Sequence, residues 1–156
     1  MFGKEINIIH SSRPVGASTT LDYFEVTIEN EGKTGEIAIG LASTDVAIDK
    51  NKMPGLASQT IGYHTDGTIY PDVKNSTSLD LFGTGDTIGC KITRIEVGLA
   101  RFQRVQFTKN GTKFDVARYF DAGEYYPTIG IKSEGAILIV NTGHEKFSYV
   151  PDGTYS

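Results

Sequence analysis

Val105-Gln106-Phe107-Thr108-Lys109-Asn110-Gly111-Thr112-Lys113-Phe114-Asp115-Val116 is the stretch that decides the fold. Val105 and Phe107 alternate with polar residues, then Asn-Gly intervenes, and Phe114 and Val116 resume the alternation. Period two marks a strand with one buried face. Asn-Gly between two such runs marks a type I′ hairpin, because both residues tolerate positive φ. The same period recurs outward on both sides. Thr87 to Arg94 sets Ile88, Cys90 and Ile92 against Lys91 and Thr93. Tyr23 to Ile28 sets Phe24, Val26 and Ile28 against Tyr23, Glu25 and Thr27, and Gly35 to Leu41 sets Ile37, Ile39 and Leu41 against Glu36, Ala38 and Gly40. Tyr126 to Ile131 and Ala136 to Val140 add two more strands, the last apolar throughout and therefore expected to be buried on both faces.

Between the strands stand turn formers, as in Glu29-Asn30-Glu31-Gly32, Met53-Pro54-Gly55, Asp66-Gly67 and Lys132-Ser133-Glu134-Gly135. One helical turn is expected, at Asp45 to Lys50. The chain has 156 residues and 18 glycines, where average usage would give about eleven. Turns and bulges account for the surplus. Many short strands with glycine-rich turns imply an all-β bent sandwich of two antiparallel sheets, as one domain over residues 1–156.

Charge and composition then remove whole classes of function. The net charge is −4 and the isoelectric point 5.3, which argues against a nucleic-acid partner, since phosphate binding needs a basic surplus. No apolar run is long enough for a membrane-spanning helix and no secretory signal is expected, so the location expected is cytoplasmic. The lone Cys90 fits a reducing compartment and reads as a small core residue.

Catalytic chemistry is not expected. Phe82-Gly83-Thr84-Gly85-Asp86-Thr87-Ile88-Gly89 fails the dinucleotide fingerprint, having Ile88 where a glycine is required, and it reads as a turn entering a buried strand. His10, His64 and His144 lack metal-ligand spacing, and no serine or cysteine sits in a nucleophile elbow, so no metal, no cofactor and no catalytic residue are expected. His64 reads as a polar residue at a strand end. Arg101, Arg104, Lys109, Lys113 and Arg118 around the hairpin read as a solvated face. The sequons at Asn75 and Asn110 read as chance. Two exposed-looking turns, Ser12-Arg13-Pro14-Val15-Gly16 and Lys50 to Gly55 with Met53, are candidates for a binding surface.

Seven elements, in order, resemble the SPRY domain, the core of B30.2 domains. They are Tyr23-Phe24-Glu25-Val26, Ile37-Ala38-Ile39-Gly40-Leu41, Met53-Pro54-Gly55 and Ile61-Gly62-Tyr63-His64-Thr65-Asp66-Gly67. Phe82 through Cys90, Phe107-Thr108-Lys109-Asn110-Gly111 and Tyr126-Pro127-Thr128-Ile129-Gly130 complete the set. They span about residues 13–147 and are most similar to the Ran-binding-protein-9/10 type. The resemblance implies a non-enzymatic protein-interaction module that holds a short peptide or protein surface in loops at one end, serving as an adaptor in a ubiquitin-ligase or scaffold complex. It implies partner contacts at Arg13, Pro14, Val15, Gly16 and Met53, and at Lys132 and Ser133, where polar residues replace a bulky apolar contact. A lectin-like carbohydrate-binding sandwich is the alternative, and the absence of tryptophan, a common stacking platform for sugars, weighs against it. Lys91 to Gln106 is longer than the resemblance leads one to expect, which implies an elongated hairpin or bulge around Val97-Gly98-Leu99.

Overall fold

The computed structural model describes residues 6–11, 15–16, 22–43, 52–71 and 79–149. The strands are β1 (Asn7–His10), β2 (Val15–Gly16), β3 (Tyr23–Asn30), β4 (Ile37–Ser43), β5 (Thr60–His64), β6 (Ile69–Tyr70), β7 (Thr87–Val97), β8 (Ala100–Lys109), β9 (Thr112–Asp121), β10 (Glu124–Ile131) and β11 (Ile137–Asn141). They form two antiparallel sheets, one ordered β1-β10-β4-β5-β6 with β2 also on β10, the other β11-β3-β7-β8-β9. The expected helical turn at Asp45 to Lys50, and the sequon at Asn75, lie outside the described residues.

Alternation delivers the core. Phe24, Val26 and Ile28 of β3, Ile88, Cys90 and Ile92 of β7, and Val105 and Phe107 of β8 face Ile37, Ile39 and Leu41 of β4 and Ile61 and Tyr63 of β5. The β8–β9 hairpin turns at Asn110 (φ 51°) and Gly111 (φ 89°), the left-handed pair a type I′ turn requires. The Asn110 side chain also tethers the turn, accepting from Thr87 N at 2.8 Å and donating to Asp86 Oδ1 at 2.9 Å. The long segment before it is an elongated hairpin, β7 pairing with β8 from Ile88↔Lys109 to Val97↔Ala100. The glycine-rich 82–89 stretch is a turn, with Gly85 N donating to Ile28 O at 2.7 Å.

Three expectations need correction. The apolar run Ala136 to Val140 is not buried on both faces: β11 is an edge strand, and Ile137, Ile139 and Val140 are 56%, 49% and 37% exposed. A run of apolar residues cannot say whether a neighbouring strand lies on both sides. Conversely, β4 is buried along both faces from Ile37 to Ala42, because the turn after Lys52 folds over the outside of its sheet. Finally, Tyr23 and Glu25 of β3, on the face read as solvated, are 5% and 3% exposed, covered by residues 147–149.

Candidate functional site

Small residues on the outer face of the six-stranded sheet let the Met53–Leu56 turn lie flat on it. Gly130, Ala38 and His64 stand in one register row, and Thr128, Gly40 and Gly62 in the next. A Cβ on Gly130 would come within 2.8 Å of Met53 Sδ, and one on Gly62 within 2.9 Å of Pro54 C. The turn is closed by Leu56 N donating to Met53 O at 2.9 Å and pinned by Gly55 N donating to Thr60 Oγ1 at 2.7 Å. His64 holds it from the sheet: its Nε2 lies 2.8 Å from the Pro54 carbonyl, which can only accept, so Nε2 carries the proton. His64 is thus the strand-end polar residue the sequence implied.

Met53 is therefore not exposed. It is 6% exposed, a plug on sheet glycines, because the kink at Pro54 turns its side chain down onto the strands. The solvent-facing apolar residue of this turn is Leu56, 53% exposed. Nothing in the sequence pattern marked Leu56, since a turn has no periodicity to read.

At the end of the sheet where β4 begins and β5 and β10 end, the turn borders a cleft of about 290 Å³. Its apolar lining is Ile6, Ile37, Met53 and Leu56, and its polar lining is Lys52, Glu36, His64, Thr65, Asp66 and Lys132. Lys132 Nζ and Glu36 Oε2 are 4.0 Å apart, a loose, half-solvated pair of small energetic weight. Lys52 has no partner among the described residues. Asp66 accepts from Thr68 N at 2.9 Å and from the Tyr70 hydroxyl at 3.2 Å.

Ser133 stands beside this cleft as a tether. Its hydroxyl donates to Glu31 O at 2.6 Å and accepts from Thr34 N and Gly35 N at 3.1 and 3.0 Å. With Lys132 N donating to Glu36 O at 2.8 Å, these bonds fix the loop that carries Lys132. Val15 and Gly16 form β2 and pair with Tyr125 and Glu124, at the start of β10. From Glu124 to Lys132 is about 26 Å along the strand direction at about 3.3 Å per residue. The structure thus brings Met53, Lys132 and Ser133 together and sets Val15 and Gly16 at the opposite end. Arg13 and Pro14 lie outside the described residues.

Burial holds His64 below its ordinary value of 6.5, against the raising effects of its bond to Pro54 and of Asp66 and Glu36. The unfolded chain then binds more protons than the folded one just below that pH, so stability falls as pH falls. We expect the urea midpoint to drop between pH 7.5 and 5 in the wild type, and to drop less in His64→Gln. Equal slopes in the two proteins would remove His64 from the account. Cys90 is fully buried and burial raises its thiol, so it is an inert core residue.

Among the described residues no three or more His, Cys, Asp or Glu side chains are grouped to hold a metal ion. No helix there is long and apolar enough to cross a membrane. A family model of the SPRY domain aligns with residues 22–145 of this two-sheet chain. The chain belongs to the SPRY domain family. This SPRY domain is 31% identical over 143 residues to the Ran-binding proteins 9/10 homolog of Drosophila melanogaster, covering 90% of this chain and 14% of that protein. It is 30% identical over 154 residues to Ran-binding protein 9 of Xenopus laevis, covering 94% and 26%. The chain therefore spans about a quarter or less of the length of these curated relatives. The crystal structure of a human SPRY domain superposes with a TM-score of 0.75 at 24% identity, covering 94% of this chain and 90% of that one. The SPRY domain of human HERC1 gives 0.60 at 16%, covering 91% and 86%. SPRY domains are a family of protein-interaction modules, in general non-enzymatic.

Proposed function

We propose that this SPRY domain, read as one unit working in the cytoplasm, holds a short segment of a partner protein by seating one apolar side chain in the cleft beside Leu56. The observation that carries the reading is the meeting of Met53 and Lys132 in one cleft on a support already tied down by hydrogen bonds. A volume of 290 Å³ sits at the lower edge of the range of small-molecule pockets, about 300–1,000 Å³, and suits an anchoring side chain with its backbone. The rim carries both signs, Lys52 and Lys132 against Glu36 and Asp66, which orients a segment more than it attracts one. Because the turn and loop are preformed, little ordering entropy is lost on binding. In a ligase or scaffold assembly, such a module would choose the partner and leave chemistry to other parts.

Random peptides displayed on phage and selected on the immobilised chain test this. Selected sequences should share an apolar anchor and lose affinity at least about tenfold, or about 1.4 kcal/mol, in Leu56→Asp and in Lys132→Glu. Both changes are on solvent-facing side chains, so the melting temperature should move by no more than about 2 °C. Val15→Ala should leave affinity within about twofold on this account, since Val15 pairs with Tyr125 at the far end of β10 and changes remote from a site act independently of it. Peptides that ignore Leu56→Asp yet fail on Val15→Ala would move the site to the β2 end.

A further inference from the structure

On the outer face of the other sheet lies a second built seat, one the cleft does not use. Glu25 is buried, at 3% exposure, and none of the described residues pairs it with a cation. Its carboxylate instead collects amide and hydroxyl donors. Ser148 N donates to Oε1 and Oε2 at 3.0 and 2.8 Å, Tyr149 N donates to Oε2 at 3.1 Å, and the Tyr23 hydroxyl donates to Oε2 at 2.8 Å. The Tyr23 ring then receives Phe147 edge-on at 4.8 Å between centroids and Tyr149 at 5.2 Å.

Glycines clear the path of this segment. A Cβ on Gly89 would press on the Tyr23 ring, within 2.5 Å of its Cζ, and one on Gly111 would come within 2.7 Å of Ser148 O. Residues 147–149 lie beyond the SPRY match, which ends at 145.

The chemistry of the seat says what it reads. Two successive main-chain amides are recognised through charge-assisted hydrogen bonds, and the rings on either side are recognised by Tyr23. The Ser148 side chain is not read, and Ser148 is exposed. The pattern is aromatic–any–aromatic on a backbone that bends at Ser148, which turns two successive amides to one carboxylate. A carboxylate also suits exchange. Once bared, the carboxylate is solvated at once, which offsets part of the cost of exposing the Tyr23 ring.

We propose that the Tyr23–Glu25 seat is a second binding site, for an aromatic–x–aromatic segment of a partner protein that bends at its central residue, with residues 147–149 occupying it as a built-in competitor. Binding by the partner requires displacement of the strap, so the chain's own segment sets a threshold on the affinity or local concentration the partner must supply.

A fluorescein-labelled peptide of residues 144–150, His-Glu-Lys-Phe-Ser-Tyr-Val, is the probe, read by anisotropy against the full chain. It should bind the Phe147→Ser/Tyr149→Ser double variant at least tenfold more tightly than the wild type, whose seat is filled. Adding Glu25→Gln to that variant should remove the gain, and a probe with both aromatics replaced by serine should not bind. The proposal is overturned if the cooperatively folded double variant binds no better than wild type, or if Glu25→Gln leaves binding unchanged. A wild-type dimer in analytical ultracentrifugation that the double variant abolishes also overturns it, because the occupant would then be a second copy. Should the double variant lose cooperative unfolding, Ser148→Pro, which deletes one amide donor and keeps both rings, takes its place under the same criteria.

Discussion

Gly62→Ala is expected to lower the melting temperature by about 6–12 °C, taking a cost of about 3 kcal/mol at about 2–4 °C per kcal/mol, and to weaken peptides held in the cleft by more than about tenfold. The added methyl group would meet Pro54 C and Cβ, each at 2.9 Å, as well as the Pro54 carbonyl oxygen. These are backbone and ring atoms, which cannot rotate aside as a flexible side chain can. Nor can the turn ride upward freely. It is held by the His64 bond to that same carbonyl at 2.8 Å and by Thr60, which accepts from Gly55 N and donates to Ala57 O, both at 2.7 Å. Lifting the turn breaks these bonds and pulls Met53 off Gly130, so the wall of the cleft moves with it. Stability and binding should therefore fall together. Gly123→Ala is the control, since a Cβ there meets nothing within 4 Å, and it should change stability by less than about 0.5 kcal/mol. A Gly62→Ala protein that melts within about 2 °C of wild type and binds normally would show that the turn is not seated as described.

This coupling also shows why the sequence revealed the fold better than the site. The hairpin at Asn110-Gly111 and the inward set Ile88, Cys90 and Ile92 are local: a turn pair and a two-residue period carry them. What covers the other side of a strand is not local. Glu25 alternates with Phe24 and Val26 and so reads as solvated, yet the segment that buries it arrives 123 residues later. β4 reads as one-sided for the same reason, and its outer cover is the 53–56 turn. The β11 error is the converse, because an apolar run looks alike at the centre and at the edge of a sheet.

The site was legible only in part. An exposed-looking turn and the resemblance brought Met53 forward and the resemblance alone brought Lys132 and Ser133, and the structure assigns each a different part: Met53 plugs the sheet, Ser133 ties the loop, and Lys132 reaches the rim. Leu56 and Glu36 carry no such signal, and Asp66 reads only as a turn residue. Each is ordinary for its element, and only the folding of three loops to one end of a sheet makes them neighbours. Val15 and Gly16 came forward through the same resemblance, which implied contacts at one end, and about 26 Å of β10 separates them from Lys132.

Tyr63→Ala should have the largest effect on stability, because Tyr63 is where the two sheets are joined. It is fully buried, and its ring contacts Phe82 at 4.6 Å, Phe107 of β8 at 5.5 Å and Phe114 of β9 at 5.8 Å between centroids. Truncating a buried aromatic costs about 3–5 kcal/mol through lost burial and the cavity left behind. The hydroxyl adds a smaller second loss, for it donates to the carbonyl of exposed Asp80, and a hydrogen bond of this kind contributes about 0.5–1.5 kcal/mol. At about 2–4 °C per kcal/mol the alanine variant should melt at least about 7 °C below wild type, and it is a candidate to be unfolded at 37 °C. Tyr63→Phe separates the two losses, keeping the ring and removing only the donor, so it should forfeit about 0.5–1.5 kcal/mol. The tether matters to position as well as to energy, since residues 79–82 reach the core through it: Leu79 and Phe82 are both core residues, and Phe82 stacks on the same ring. Hydrogen exchange should therefore rise around residues 79–82 in Tyr63→Phe before it rises in β7 or β8. Uniform exchange across the chain would mean that the hydrogen bond is no local tether, and a Phe variant as unstable as the Ala variant would mean that the aromatic cluster contributes little to joining the sheets.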